Sequence, residues 1–141
     1  MFDYDIIVFA QDDDCGGVHG HFIEALQGQR KVITRDDFVP GAAQVDAIVE
    51  SIRVCQWIVP VITSNFLSDN VGLCVDFISR AQFDHPHALI PVIWEQELAV
   101  TDATIAELLR VGDPLYWRGD EAAPEDKRLF WLSFLERTVT R

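Results

Sequence analysis

The chain is short of positive charge. Eleven Lys and Arg stand against twenty-three Asp and Glu, a formal net charge of −12. Such a surface repels phosphate, so nucleic acid and anionic membrane are poor partners and a basic protein surface is a good one. Cysteine is scarce as well. Cys15, Cys55 and Cys74 form an odd set without paired spacing, which argues against a disulfide framework or a structural zinc site and fits reduced thiols in the cytosol. Long apolar runs are missing: Trp57 to Ile62 and Ala88 to Trp94 are strand-sized, too short to span a bilayer, so no direct membrane insertion is expected. Met1 to Asp5 carries neither a basic n-region nor a long apolar stretch, so no signal peptide is expected. There is no internal repeat, linker or low-complexity tract.

What is present is a globular mix in 141 residues, 49% of them hydrophobic and 24% charged, expected to form one domain over residues 1–141. Strand-like and helix-like segments alternate, the pattern of a parallel α/β sheet. Tyr4 to Ala10, apolar on both faces, reads as a central strand. Gln11 to Asp14 and then Gly16-Gly17 read as a loop. Val18, Phe22, Ala25 and Leu26 follow at helical spacing, with Gly28 as the stop. Lys31 to Thr34 is a second strand, and Asp36 to Gly41 a loop broken by Pro40-Gly41. Val45, Ile48, Val49 and Ile52 mark the core face of a second helix.

Trp57 to Thr63 reads as the third strand despite Pro60, which fits a central strand badly. Ser64 to Gly72 reads as a loop and Val71 to Phe83 as the third helix, with Val71, Val75, Ile78 and Ala81 or Gln82 along one face. Ala88 to Trp94, containing Pro91, is the fourth strand. Thr101 is placed to cap a fourth helix bearing Ile105, Leu108 and Leu109, which Gly112 ends. Leu115 to Trp117 is a fifth strand. Pro124 suits the first turn of a last helix, with Glu125 and Asp126 against its dipole and Phe130, Trp131, Phe134 and Leu135 as its buried stripe. Right-handed crossovers then give a flavodoxin-like three-layer α/β/α fold with a five-stranded parallel sheet.

Several stretches, in order, resemble the sequence boxes of Toll/interleukin-1 receptor (TIR) domains. Tyr4-Asp5-Ile6-Ile7-Val8-Phe9-Ala10 resembles box 1. Asp37-Phe38-Val39-Pro40-Gly41 resembles box 2, the RDxxPG loop, with Asp36 at the family's arginine and Arg35 one residue early. Phe130-Trp131 resembles the FW of box 3. Val61-Ile62-Thr63-Ser64-Asn65-Phe66 is similar to the third strand and its exit, and Ala88-Leu89-Ile90-Pro91-Val92 to the fourth strand, where an Ile-Pro step is common. The likeness runs from Tyr4 to about Val139.

The resemblance implies a cytoplasmic module of innate-immune signalling that binds other TIR domains, its own copies included, rather than a catalyst. The implied contact is the BB loop: Asp36, Asp37, Phe38, Val39, Pro40 and Gly41. Pro40 fixes φ and Gly41 admits positive φ, so the tip can project. Phe38 and Val39 rimmed by two carboxylates suit docking on a basic partner. The alternative is that Phe38 folds back over the sheet edge and the loop is inert. Phe130 and Trp131 read as core packing. Receptor and adaptor are not separable here, although the missing third-helix tryptophan and glutamate, with Thr63-Ser64-Asn65-Phe66, lean towards an adaptor.

Some TIR domains cleave NAD, which needs a carboxylate beside the ribose. In the family's W-C-x-x-E pattern the glutamate position falls here on Cys74 and the tryptophan position on Asn70. A thiol supplies no fixed negative charge, and Asp76 lies roughly 200° further round the helix. The expectation is therefore no catalytic residue and no cofactor. A response-regulator receiver shares this fold, and Asp12, Asp13 and Asp14 look like its acidic pocket. However, Val61-Ile62-Thr63-Ser64 offers no phosphoacceptor aspartate, and Tyr116-Trp117-Arg118 stands where its lysine belongs. Gly16-Gly17 lacks the rest of a phosphate loop and follows three repelling carboxylates. Cys15 beside His19 or His21 lacks an oxyanion motif, and its carboxylate neighbours disfavour the thiolate. His19, His21, His85 and His87 read as surface loop residues, with no metal site, and Cys55 and Cys74 as buried small apolar residues.

Overall fold

The computed structural model describes residues 4–10, 15–34, 44–68, 73–85, 87–95, 98–119 and 121–138, with backbone alone at 15–16, 44–48 and 73–76. In chain order the elements are β1 (Tyr4–Phe9), α1 (Cys15–Leu26), β2 (Val32–Thr34), α2 (Gln44–Val54), β3 (Cys55–Ile62), α3 (Ser64–Leu67), α4 (Leu73–Asp84), β4 (Val92–Ile93), α5 (Ala103–Val111), β5 (Leu115–Tyr116) and α6 (Pro124–Arg137). The five strands form one sheet in the order β2-β1-β3-β4-β5, and every pairing is parallel. This is the flavodoxin-like order expected from the alternation of elements.

The centre of the sheet is where the most apolar strands lie. Ile6, Ile7, Val8 and Phe9 of β1 are fully buried, and β3 is buried along its whole length. Ile6 pairs with Trp57 and Val8 with Val59. Burial on both faces leaves no polar side to alternate, so these strands read as continuous apolar runs. The helices cover the two faces. On one, Phe22 of α1 meets Phe134 and Trp131 of α6. On the other, α4 contacts both α2 and α5, and Phe77 of α4 stacks on Phe9 with centroids 4.1 Å apart.

Two prolines sit in this sheet without breaking it. Ile58 spends both its N–H and its C=O on the β4 side, bonding Ala88 O and Ile90 N. Backbone direction alternates along a strand, so the donor that Pro60 lacks also falls on the β4 side. There the pairing is already interrupted, between the isolated bridge Ile58 to Leu89 and the ladder that resumes at Val61 and Val92. Pro91 precedes the β4–β5 ladder, yet its carbonyl still accepts from Leu115 N. The cost is length: regular pairing in β4 covers only Val92–Ile93, where the sequence suggests Ala88 to Trp94.

Other expectations need correction. Gly16-Gly17 is not loop; α1 begins at Cys15, three residues before its apolar stripe. Gly28, with φ +79°, does stand just past the helix, where its missing Cβ permits the left-handed turn. Ser64–Leu67 is a one-turn helix rather than loop, because the Thr63 hydroxyl accepts from Phe66 N and Phe66 is buried. The third helix of the sequence reading is α4, Leu73–Asp84; Val71 lies outside the described residues.

Asp102, not Thr101, caps α5, its carboxylate accepting from Thr104 N and Ile105 N. Val49 is 38% exposed, whereas Ile52 one turn on is buried, so the core stripe of α2 is narrower than its periodicity suggests. In α6, Phe130 and Phe134 are buried, while Trp131 and Leu135 are half-buried. No helix among the described residues is long and apolar enough to cross a membrane.

Candidate functional site

Parallel strands all end on one side of the sheet, and in open α/β folds ligands and partners gather outside those carboxyl ends. Residues 35–43 fall between the end of β2, the buried Thr34, and the start of α2 at Gln44. Asp36, Asp37, Phe38, Val39, Pro40 and Gly41 themselves lie outside the described residues, as do Asp12, Asp13, Asp14 and Asn70.

The rim is defined at β3, β4 and β5. Thr63 follows β3 and is buried, its hydroxyl committed to capping α3 at 3.0 Å from Phe66 N. Ser64 donates both its backbone N–H and its hydroxyl to Oε1 of Glu95, each at 3.2 Å. That carboxylate is thereby held over the carboxyl ends of β3 and β4. Sequence reasoning passed over it, since nothing local ties Glu95 to a residue thirty-one positions earlier.

Beside it stands an aromatic block. Trp94 and Trp117, at the ends of neighbouring strands, lie nearly parallel. His21 meets both edge-on, each at 5.5 Å, and its Nδ1 is 2.8 Å from Gly17 O. Phe130 meets Trp117 and Trp131 at nearly right angles, the core-packing role expected of the FW pair. His19 and His21 are thus helix residues of α1 and not surface loop groups; His19 is only 2% exposed. His19 is buried because it shares a helix face with Val18 and Phe22, and the apolar spacing that marks that face does not register a histidine on it. His85 is partly buried after α4, and His87 is exposed.

Cys55 is buried and forms no disulfide. Cys74 and Asp76 lie in α4 as backbone positions, and Cys15 opens α1. At the end of β3 the residues are Ile62 and Thr63, and after β5 they are Trp117 and Arg118, so no receiver-type phosphoacceptor or lysine stands in those two positions. Among the described residues no cluster of His, Cys, Asp or Glu is placed to hold a metal ion.

The electrostatic character of the surface follows from where the few cations go. Arg53, Arg110 and Arg128 each pair with a glutamate three residues earlier on their own helix. Arg30 donates to Gln29 O, Leu135 O and Thr138 Oγ1. Arg137 donates to the carbonyls of Gly112 and Asp113. These five guanidinium groups are occupied within the fold, which leaves the excess of carboxylates to dominate the outside. The Arg110 hydrogen bond, helped by its charge, holds the exposed Glu107 carboxyl below the ordinary glutamate value.

Apolar surface is exposed at the β5 end. Tyr116 is 59% and Leu129 50% exposed, and both border a cavity of about 220 Å³ between β5 and α6. A second cavity of about 210 Å³ opens between Glu95, Tyr116 and Arg118.

No protein-family model matches the chain, and no curated protein sequence matches it either. Solved structures do. The TIR domain of the Toll-related receptor TRR-2 from the lower metazoan Hydra magnipapillata superposes with a TM-score of 0.74 at 19% identity, over 96% of this chain and 98% of that one. The TIR domains of the activated Roq1 resistosome, which directly recognizes the pathogen effector XopQ, superpose with a TM-score of 0.58 at 15% identity, over 96% of this chain and 83% of that one. With the parallel sheet in the order β2-β1-β3-β4-β5 and helices on both faces, the chain has the fold of a TIR domain.

Proposed function

We propose that the chain is a non-catalytic interaction module that passes Toll/interleukin-1-type innate-immune signals by associating with other TIR domains, its own copies among them, with Asp36 to Gly41 as the principal contact. The observation that carries this reading is the fold, shared with the TIR domain of a receptor and with TIR domains of an activated resistosome. The Phe38-Val39-Pro40-Gly41 tip is supported by its connection to β2, an edge strand of the sheet. There, an apolar pair with two carboxylates can exclude water and select a basic counterpart. Each contact would be weak, and clustering would compound it by raising the effective concentration. The setting is cytoplasmic.

The test is association with a partner TIR domain, followed by sedimentation. Pro40→His and Asp37→Arg are expected to weaken it while the thermal unfolding midpoint stays in place. Unchanged association in both variants would remove the loop from the mechanism.

A second reading, cleavage of NAD, is favoured by one feature. Although the family's glutamate position is Cys74, the Glu95 carboxylate is fixed at the carboxyl end of the sheet by Ser64, and a carboxylate there could stabilise an oxocarbenium-like centre. Incubation with NAD decides the matter. Release of free nicotinamide that Glu95→Gln abolishes would replace the docking reading with an enzymatic one.

A further inference from the structure

Little positive charge is left over for a partner. Among the described residues, Arg53, Arg110 and Arg128 pair with glutamates on their own helices. Arg30 and Arg137 donate to carbonyls, and Arg118 and Lys127 are engaged as well. The cationic side chains that remain uncommitted there are those of Lys31 and Arg80. Asp84 stands one turn beyond Arg80, a spacing that supports ion pairs, yet does not claim it.

The surroundings of these two cations differ. Lys31 lies beside Asp5, Gln29 and Arg30, all of them polar. Arg80 is exposed on α4, and Phe83, three residues on in the last turn of that helix, is 89% exposed. Residues three apart on a helix are surface neighbours, so a guanidinium and a bare phenyl ring form one patch at the end of α4. A single exposed apolar side chain is ordinary on a protein surface. The uncommitted cation beside it is not, in a chain of net charge −12.

Two copies so charged repel each other overall, and a contact between them has to set a cation against carboxylates. Asp36-Asp37-Phe38-Val39 supplies the matching chemistry, two carboxylates followed by two apolar side chains. We propose that the Arg80–Phe83 end of α4 receives the Asp36 to Gly41 segment of a second copy, with Arg80 against its carboxylates and Phe83 against Phe38 and Val39. This rests on the reading of Asp36 to Gly41 as the contact. α4 returns the chain from the carboxyl end of β3 to the amino end of β4, so Phe83 lies at the amino end of the sheet, whereas Thr34, just before the segment, ends β2 at the carboxyl end. The two surfaces are different patches of one chain, which makes the contact heterologous. A pair leaves one α4 end and one segment unused, so further copies add head to tail.

Sedimentation of the whole chain over a range of concentrations tests this. The unaltered chain is expected to grow beyond a pair. Phe83→Ser and Arg80→Glu should each weaken self-association about tenfold or more, with circular dichroism unchanged because both side chains lie at the surface. Phe83→Ser mixed in equal amount with Phe38→Ser should give a complex of two chains and no more, one partner keeping its Asp36 to Gly41 segment and the other its α4 end. Arg80→Glu and Asp37→Arg combined in one chain should restore the association that either loses alone. Should Phe83→Ser not fold, that charge exchange decides. Undiminished self-association of both α4 variants would overturn the proposal, as would an unaltered chain that stays single or stops at a pair. If Pro40→His and Asp37→Arg lose association while the α4 variants keep it, the segment remains the contact and α4 is not its receiver. If the segment variants keep association, the reading of Asp36 to Gly41 falls and this proposal with it.

Discussion

Trp94 and Trp117 lie face to face, centroids 4.8 Å apart and 8° from parallel. They stand on adjacent strands at the carboxyl end of the sheet, and the His21 ring closes edge-on against both. This block joins α1, β4, β5 and α6, because Trp117 also meets Phe130 and Trp131. Trp117→Ala is therefore expected to destabilise the fold by about 3–5 kcal/mol, the usual cost of emptying a large aromatic site. Urea unfolding monitored by circular dichroism checks it. A loss below 1 kcal/mol would mean that the block is ornamental to stability.

Gly112 ends α5 in close quarters. A Cβ at this position would stand 2.7 Å from the Leu108 carbonyl oxygen and 3.0 Å from Cγ of Pro91. The first of these is backbone and cannot rotate away. Gly112→Ala should cost about 1–3 kcal/mol through overpacking, and it should disturb the Arg137 bond to the Gly112 carbonyl. A thermal midpoint equal to that of the unaltered chain would show that the α5 terminus yields easily.

Asp102 caps α5, with its carboxylate 2.9 Å from Thr104 N and 3.1 Å from Ile105 N. Asp102→Ala is expected to lose about 1 kcal/mol, in the range of other N-caps. Thr101→Ala should stay within about 0.5 kcal/mol, as for an ordinary surface substitution. Denaturant midpoints of the two variants, side by side, test which residue holds the helix start.

Glu107 has its folded-state pKa lowered by the hydrogen bond and charge of Arg110. A depressed carboxylate pKa means that the folded state binds the proton less readily than the unfolded one. The stabilising contribution is therefore present above the unfolded glutamate value and is lost as pH falls through the lower folded value. Side-chain carbon shifts followed through an acid titration should place the Glu107 midpoint below that of an ordinary glutamate. Arg110→Gln should return it to the ordinary range. A midpoint unmoved by that substitution would show the pair to be absent in solution.

Some of this was legible in residue order alone. The buried runs of β1 and β3 read as strands because both their faces are apolar, and α5 and α6 showed their core residues through helical spacing. Pro124 and Gly28 marked ends for the same local reason, a fixed φ in one case and a permitted positive φ in the other. Val49 misled because a stripe says which residues can face inward and not how wide the neighbouring element is. Ser64–Leu67 was missed because a single turn has no periodicity to detect, and its cap, Thr63, stood at the end of a strand. Of the candidate site, Pro40-Gly41 was singled out by its motif and lies outside the described residues, whereas Glu95 carried no local signal because its partner Ser64 is far along the chain.

The sequence by itself determined the alternation of strands and helices, the acidic excess and the apolar content of the central strands, since each is a property of short stretches or of a sum over residues. Only the tertiary structure decided that β5 would be an edge, that His21 would close on two tryptophans far along the chain, and that Glu95 would be gripped by Ser64. Those outcomes depend on which elements become neighbours. Neighbourhood is settled by the joint packing of distant segments, and no local pattern encodes it.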